Sequence, residues 1–220
     1  MVILKAMNNF ADQNTGGMSI IQSDIQTLNI AELLKQDPLF VFALEYEATE
    51  LFESVKPLFV GIGKVNAAYH LTKRIARQRP GLIINLGSAG SNKFSKGSVV
   101  CCNRFIQRDM DVRPLGFSKY ETPLSGQAPL LEYGFAAPGL PSGICGTGDS
   151  FETGHQTEDY DVIDMEAYPL AWIAQEEKIP FLCLKYISDG ADGQAAEDWQ
   201  VTVHSAAEVL KQAIDQLSVP

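Results

Sequence analysis

At 220 residues the chain has the length of one domain, or one domain with a small appendage, and is long enough to bury a core without disulfide or metal staples. Apolar residues at 45% and charged residues at 20% exclude an extended disordered chain. With 17 basic against 27 acidic side chains the formal charge is −10, which excludes a role resting on phosphate-backbone contacts; nucleic acid is not an expected partner, whereas a base or nucleoside is admissible.

No run of 18 apolar residues occurs, so no transmembrane helix and no membrane partner is expected, and MVILKAMNNFADQ lacks the basic and apolar regions of a secretory signal. Cys101, Cys102, Cys145 and Cys183 show no metal or redox spacing and read as buried, reduced thiols of a cytoplasmic protein. His70, His155 and His204 are scattered, so neither a metal site nor a cofactor is expected.

Residues 1–37 read as a leader. Asn14-Thr-Gly-Gly17 is a turn, Met18 is an alternative start that would make the preceding residues an added or mobile arm, and Asn29-Ile-Ala-Glu32 has capping-box spacing before a short helix that Pro38 ends. From residue 38 to 220 the rhythm is that of one α/β domain. LFVFAL (39–44) predicts a strand, Glu45–Val55 a helix, and PLFVGIG (57–63) a second strand. Lys64–Arg79 predicts a helix with Val65, Ala68, Leu71 and Ile75 on its buried face. Strands follow at LIINLG (82–87), GSVVCCNRFI (97–106) and SGICGTG (142–148). DVIDM (161–165) leads into a helix to residue 177 with Leu170, Trp172 and Ile173 in its core, and PFLCLKYIS (180–188) is the last strand. Ala195–Leu217 closes the chain as an amphipathic helix carrying Trp199, Val203, Ala206, Leu210, Ile214 and Leu217 on one stripe. The alternation predicts a three-layer α/β/α sandwich around a central mixed, mainly parallel sheet, with ligands bound beyond the carboxyl ends of the strands.

Four strand exits carry chemistry-bearing residues. Glu45 and Glu47 follow the first strand; acids in a first helical turn also simply complement the helix dipole. Gly61-Ile-Gly63-Lys64 and Gly87-Ser-Ala-Gly90 permit close backbone approach to a ligand, but match neither a dinucleotide fingerprint nor a P-loop and also serve as tight turns. Gly146-Thr-Gly-Asp-Ser-Phe151 places an aromatic at a loop tip without another apolar anchor. Glu166 in Asp164-Met-Glu166 and Asp189 in Ser188-Asp189 are carboxylates at buried element ends, where each must be paired, hydrogen-bonded or protonated, and where helix capping is the simpler alternative.

Taken in order, ALEYEATEL (43–51), GIGKVNAA (61–68), IINLGSAGS (83–91), GTGDSFE (146–152), VIDMEAYPLAW (162–172) and KYISDGAD (185–192) resemble the signature of the nucleoside phosphorylase superfamily, nearest its methylthioadenosine/S-adenosylhomocysteine nucleosidase branch. The resemblance implies cleavage of the N-glycosidic bond of a purine nucleoside. It implies Asp189 as the acid protonating purine N7, Glu166 as the carboxylate binding the ribose hydroxyls, and Glu47 as the group orienting or deprotonating the attacking water. It further implies Met165 against the sugar, Phe151 stacked on the base with residue 152 reading its edge, Ser88, Ala89 and Gly90 lining the pocket, and Ser188 positioning Asp189. A homodimer is implied too, because the family closes its pocket across a subunit interface.

Phosphorylases of the superfamily hold phosphate with arginines in Gly-Asp-Pro-x-Arg and Arg-x-Gly-Ser/Thr turns; here those places read LEYEAT and Asn85-Leu-Gly-Ser, which favours water over phosphate. A phosphorylase using Lys64, Arg104, Arg108 or Arg113 is the alternative enzyme, and a non-catalytic nucleoside-binding relative is the alternative of another class. The chain departs from the pattern where only Thr49–Leu58 link the acidic helix to GIGKV, and where the Pro/Gly-rich 122–143 replaces most of a helix. Glu152 stands where an apolar residue is usual, suiting another base or a cationic substituent. Lys185 is a candidate partner for a polar 5′ group or for Asp189, a surface salt bridge being equally compatible.

Overall fold

The structure, a computed structural model, describes residues 29–218, with the side chain of Val203 outside the described set. The Asn14–Gly17 turn and the alternative start at Met18 also lie outside the described residues. The chain first forms helix α1 (Ile30–Leu33), capped by the Asn29 side chain, which accepts from the Ala31 N–H at 2.9 Å. Ala31 and Leu33 are buried, so packing begins before Pro38. Strand β1 (Pro38–Phe42) is followed by a single helical turn, α2 (Glu45–Ala48). The continuous helix expected over 45–55 is broken at Thr49, whose φ of 50° turns the chain into a 3-10 helix, Glu50–Val55. That turn drives Phe52 into the core against Phe42, ring centroids 5.0 Å apart, while leaving Glu47 facing the other way.

Strand β2 is only Leu58–Phe59, and helix α3 (Lys64–Arg77) follows it. The buried stripe of α3 is Ala67, Leu71 and Ile75, with Ala68 packed beside it; Val65, expected on that face, is 78% exposed. Strands β3 (Leu82–Gly90) and β4 (Val99–Gln107) carry the long apolar runs. A short strand missed in the sequence, β5 (Leu130–Glu132), adds to β4 from within the Pro/Gly-rich 122–143 segment, and Tyr133, Phe135 and Ala137 after it are buried. Strands β6 (Ser142–Thr147) and β7 (Val162–Asp164), helix α4 (Ala167–Glu176), strand β8 (Phe181–Asp189) and helix α5 (Ala195–Leu217) complete the fold. On α4, Leu170 and Ile173 are buried, but Trp172 is 39% exposed. On α5, Ala206, Leu210 and Ile214 are buried as the stripe predicts.

The sheet is mixed and mainly parallel, as expected: five of its eight strand pairings are parallel. Its closure goes beyond the layered sandwich read from the sequence. Strand β3 pairs with β8 and β8 with β4; β4 pairs with β6, β6 with β7, and β7 returns to β3 through Gly90 and Ile163, so five strands form a barrel-like ring. Strands β1 and β2 extend the sheet from the β3 side. Every residue of β8 is buried, which is why it reads as one unbroken apolar run. The ring brings the carboxyl ends of β3, β7 and β8 together at one rim. A register shift between Ala89 and Gly90 sets Gly90 directly beside Asp189. The four cysteines are free and buried in the core; burial pushes the Cys101 thiol up to about 12, so these thiols are packing groups. Among the described residues no helix is long and apolar enough to cross a membrane.

Candidate active site

The rim opens into a cavity of about 250 Å³ walled by Ala43, Leu44, Ile62, Phe151, Met165 and Trp199 among others, with the carboxylates of Glu47, Glu152, Asp164, Glu166 and Asp189 around it. Ser88, Ala89, Gly90 and Ser188 also line it, so every site residue predicted from the sequence falls on one cavity.

Glu47 is 3% exposed, against the fully exposed position a dipole-complementing acid would take. Its Oε2 accepts from the Leu44 N–H at 3.1 Å, and its Oε1 from the Ser88 N–H at 3.0 Å and the Ser88 hydroxyl at 2.8 Å. The Ser88 Oγ in turn accepts from the Trp199 indole N–H at 2.9 Å. The sequence placed Trp199 on the core stripe of α5; the structure puts it in the cavity wall, and no motif around it signalled this.

Glu166 occupies the cap position of α4 but makes no cap bond to its own helix. Asp164 does that instead, its Oδ2 accepting from the Ala167 N–H at 2.8 Å. Glu166 Oε1 reaches across to the N-terminus of α3, accepting from the Gly63 N–H at 2.8 Å, at a glycine whose φ of 92° presents the N–H to the cavity. Burial and then the neighbouring Asp164 carboxylate push Glu166 up to about 8.

Asp189 is 4% exposed, and burial raises it above the ordinary carboxylate range despite bonds from Ser188 and Ala191. Its Oδ1 accepts from the Ala191 N–H at 2.8 Å. The Ser188 Oγ lies 2.8 Å from Asp189 Oδ2 and 3.3 Å from the Ala89 carbonyl. One hydroxyl proton cannot serve both oxygens; with Asp189 protonated, the acid donates to Ser188 and Ser188 to Ala89, and both bonds are satisfied. A methyl at Gly90 would sit 2.7 Å from Asp189 Oδ1, so only glycine fits there.

Two charged residues have partners that the sequence did not indicate. Lys185 pairs neither with Asp189 nor with solvent-side groups: its Nζ lies 2.8 Å from Asp164 Oδ2, both side chains being almost fully buried. Burial would lower the lysine, but the Asp164 charge more than offsets it and raises it; burial likewise opposes Asp164, which Lys185 holds below its usual range. The Thr147 hydroxyl, donating to Asp164 Oδ1 at 2.5 Å, completes the buried cluster. Because breaking such a pair strands a charge, Lys185→Met is expected to cost about 3–5 kcal/mol in urea unfolding, and Lys185→Met with Asp164→Asn, which removes the charge but keeps an acceptor for the Ala167 N–H, to recover part of it. Glu152 lines the cavity as expected, but its Oε2 is held 3.2 Å from Arg108 Nη1, and Arg108 also binds the Ser150 backbone and hydroxyl, pinning the Phe151 loop. Phe151 itself is 51% exposed at the cavity edge.

Three of the four alternative phosphate ligands are paired with carboxylates, Arg108 with Glu152 on the cavity wall itself. Lys64 Nζ is 2.6 Å from Asp109 and Arg113 is paired with Asp111. Among the described residues lining the cavity there is no lysine or arginine.

A mixed α/β sheet whose converging strand ends surround an apolar cavity with carboxylates defines an enzyme built to face a ligand that is neutral or becomes positive. Comparison with known proteins narrows that class. The family profile of the phosphorylase superfamily matches residues 54–218. The 5′-methylthioadenosine/S-adenosylhomocysteine nucleosidase of Listeria monocytogenes (serotype 4a) is 34% identical over 182 residues, covering 71% of this chain and 78% of that protein. That of Bacillus subtilis is 31% identical over 199 residues, covering 76% and 82%. The fold matches the Helicobacter pylori nucleosidase mutant D198N with 5′-methylthioadenosine in its active site, at a TM-score of 0.73, 19% identity, and coverage of 82% of this chain and 99% of that one. It also matches Helicobacter pylori futalosine hydrolase at a TM-score of 0.75 and 18% identity, covering 84% and 97%. The chain belongs to the phosphorylase superfamily, in its 5′-methylthioadenosine/S-adenosylhomocysteine nucleosidase family.

Proposed function

We propose that the protein hydrolyses the N-glycosidic bond of a purine nucleoside of the methylthioadenosine/S-adenosylhomocysteine kind. The observation that carries this reading is the cavity lining, four buried carboxylates (Glu47, Asp164, Glu166 and Asp189) with no cation among the described lining residues. Such a wall repels phosphate and stabilises a sugar that turns cationic.

In this mechanism the C1′–N9 bond breaks with its electron pair leaving on the base. Asp189 delivers its proton to purine N7, so the base departs neutral, and the raised affinity of Asp189 for a proton suits that task. Glu166 accepts hydrogen bonds from the ribose hydroxyls and faces the anomeric carbon, whose developing positive charge favours the ionised form that burial opposes. Water adds to that carbon and gives its proton to Glu47, whose carboxylate is fixed by Leu44 and Ser88. Phe151 covers the base, Met165 packs on the sugar, residue 152 reads the base edge, and Ser188 holds Asp189. The products are the free purine and the ribose derivative.

The nucleosidase domain is assigned to 38–220 with 1–37 as its leader, in a cytoplasmic homodimer with the strands layered between helices outside the closed ring. Supporting a homodimer, Ile62, Val65 and Tyr69 form an exposed apolar strip that begins at the cavity wall. The test is release of base from methylthioadenosine, S-adenosylhomocysteine, adenosine and inosine in phosphate-free buffer, on material sized by sedimentation. Base is expected without phosphate, from a species of twice the chain mass. Release that required phosphate would establish the phosphorylase alternative.

A further inference from the structure

Glu47 is held more closely than the general role of a water-directing carboxylate requires. A carboxylate offers about four acceptor positions. Both positions on Glu47 Oε1 are filled, by the N–H and the hydroxyl of Ser88, and one on Oε2 by the Leu44 N–H. A single position is left, on Oε2, for the proton of an attacking water. This count holds only while the Ser88 hydroxyl donates to Glu47, and a serine hydroxyl rotates freely unless something fixes it.

The Trp199 indole fixes it. An indole N–H is a donor only, so at 2.9 Å from Ser88 Oγ it occupies one of the oxygen's two lone pairs and turns the serine proton away from itself, toward Glu47. Trp199 also packs edge-on against Tyr46, the residue before Glu47, with ring centroids 5.8 Å apart and planes at 72°. Three residues further along α5, the Thr202 hydroxyl shares its proton between the Asp198 carbonyl of its own helix, at 2.8 Å, and the carbonyl of Ser188, next to the acid Asp189, at 3.0 Å. The first turns of α5 therefore grip both the water side and the base side of the cavity.

We propose that Trp199 is a positioning residue for the hydrolytic step, acting through the Ser88 hydroxyl to leave Glu47 one acceptor position and hence one pose for the attacking water. The proposal rests on the hydrolytic reading and on Glu47 as the water-directing group. It gives the chain's final helix a part in the chemistry that no motif assigned to it.

The test is a double-mutant cycle read in kcat with methylthioadenosine, using Trp199→Phe, Ser88→Ala and both together. Trp199→Phe is expected to lower kcat about three- to tenfold, the worth of one oriented hydrogen bond, with a smaller change in KM. In the Ser88→Ala background the same replacement should change kcat less than about twofold. Full additivity would overturn the proposal, because a tryptophan that only shapes the cavity acts whether or not Ser88 carries a hydroxyl. If Trp199→Phe does not fold, benzothienylalanine at position 199 keeps the ring and removes only the N–H, with the same two outcomes. Wild type and Glu47→Gln separate this from the reading beneath it. No base release by wild type would sink the hydrolytic assignment and the proposal together, whereas full turnover by Glu47→Gln would sink the role of Glu47 and the proposal and leave hydrolysis standing. Hydrolysis by wild type, impaired Glu47→Gln and an additive cycle would sink the proposal alone.

Discussion

Asp189→Asn is expected to lower turnover by about 10²–10⁴-fold while the nucleoside still binds, the usual scale for loss of a general acid. The replacement is nearly isosteric: the amide oxygen can keep the bond from Ala191 and the amide N–H can donate to Ser188. What it cannot do is give a proton to purine N7 and remain neutral. Calorimetric titration with methylthioadenosine beside a steady-state assay separates the two effects. A variant that binds and turns over like wild type would remove Asp189 from the acid role. A wild type that binds without turnover would identify the non-catalytic relative.

The second large effect is expected at Glu166. Glu166→Gln keeps an acceptor for the Gly63 N–H but removes the carboxyl that can ionise against the positive charge developing on the sugar, and a loss of about 10²–10³-fold in kcat is expected, the scale for one electrostatic stabiliser. The same carboxyl makes a signed prediction for stability. Its pKa lies near 4.5 when the chain is unfolded and is pushed up to about 8 in the fold by burial and Asp164. Between those values the native state binds more protons than the unfolded state, so stability falls as pH rises through that window. Glu166→Gln should flatten that slope. Urea unfolding of both proteins from pH 5 to 8 reads it, and parallel slopes would show that Glu166 is not the group responsible.

How far the sequence reached depended on whether a feature was local. Strands β3 and β8 are buried along nearly their whole length, so their apolar runs announced them. Helix α5 was legible over its whole extent from its stripe. The break at Thr49 was not, because a β-branched residue at positive φ follows from the burial of Phe52 and from no local preference. Nor was β5, whose three residues have too little pattern of their own and are strands only because β4 has a free edge there. Closure of the ring hangs on one residue pair, Gly90 with Ile163, about a third of the chain apart.

The site shows the same division. Glu47, Glu166 and Asp189 stood out as acids at buried strand exits, and a family resemblance supplied their roles. Lys185 was visible as a cation in an apolar strand, but its partner was misassigned; Asp164 is next to it only because the closing ring brings β7 toward β8. Trp199 carried no signal beyond its helical spacing. Its place in the cavity is fixed by long-range contacts, edge-on packing against Tyr46 and the bond to Ser88.

Transfer of oxygen from water is the central claim, and it is read most directly by isotope. Methylthioadenosine incubated with the protein in H₂¹⁸O, with phosphate present, should yield adenine and free methylthioribose, with ¹⁸O in its anomeric hydroxyl at early times in excess of that gained by unlabelled methylthioribose exchanging in the same buffer without the protein. A sugar 1-phosphate in place of that labelled product would contradict the account.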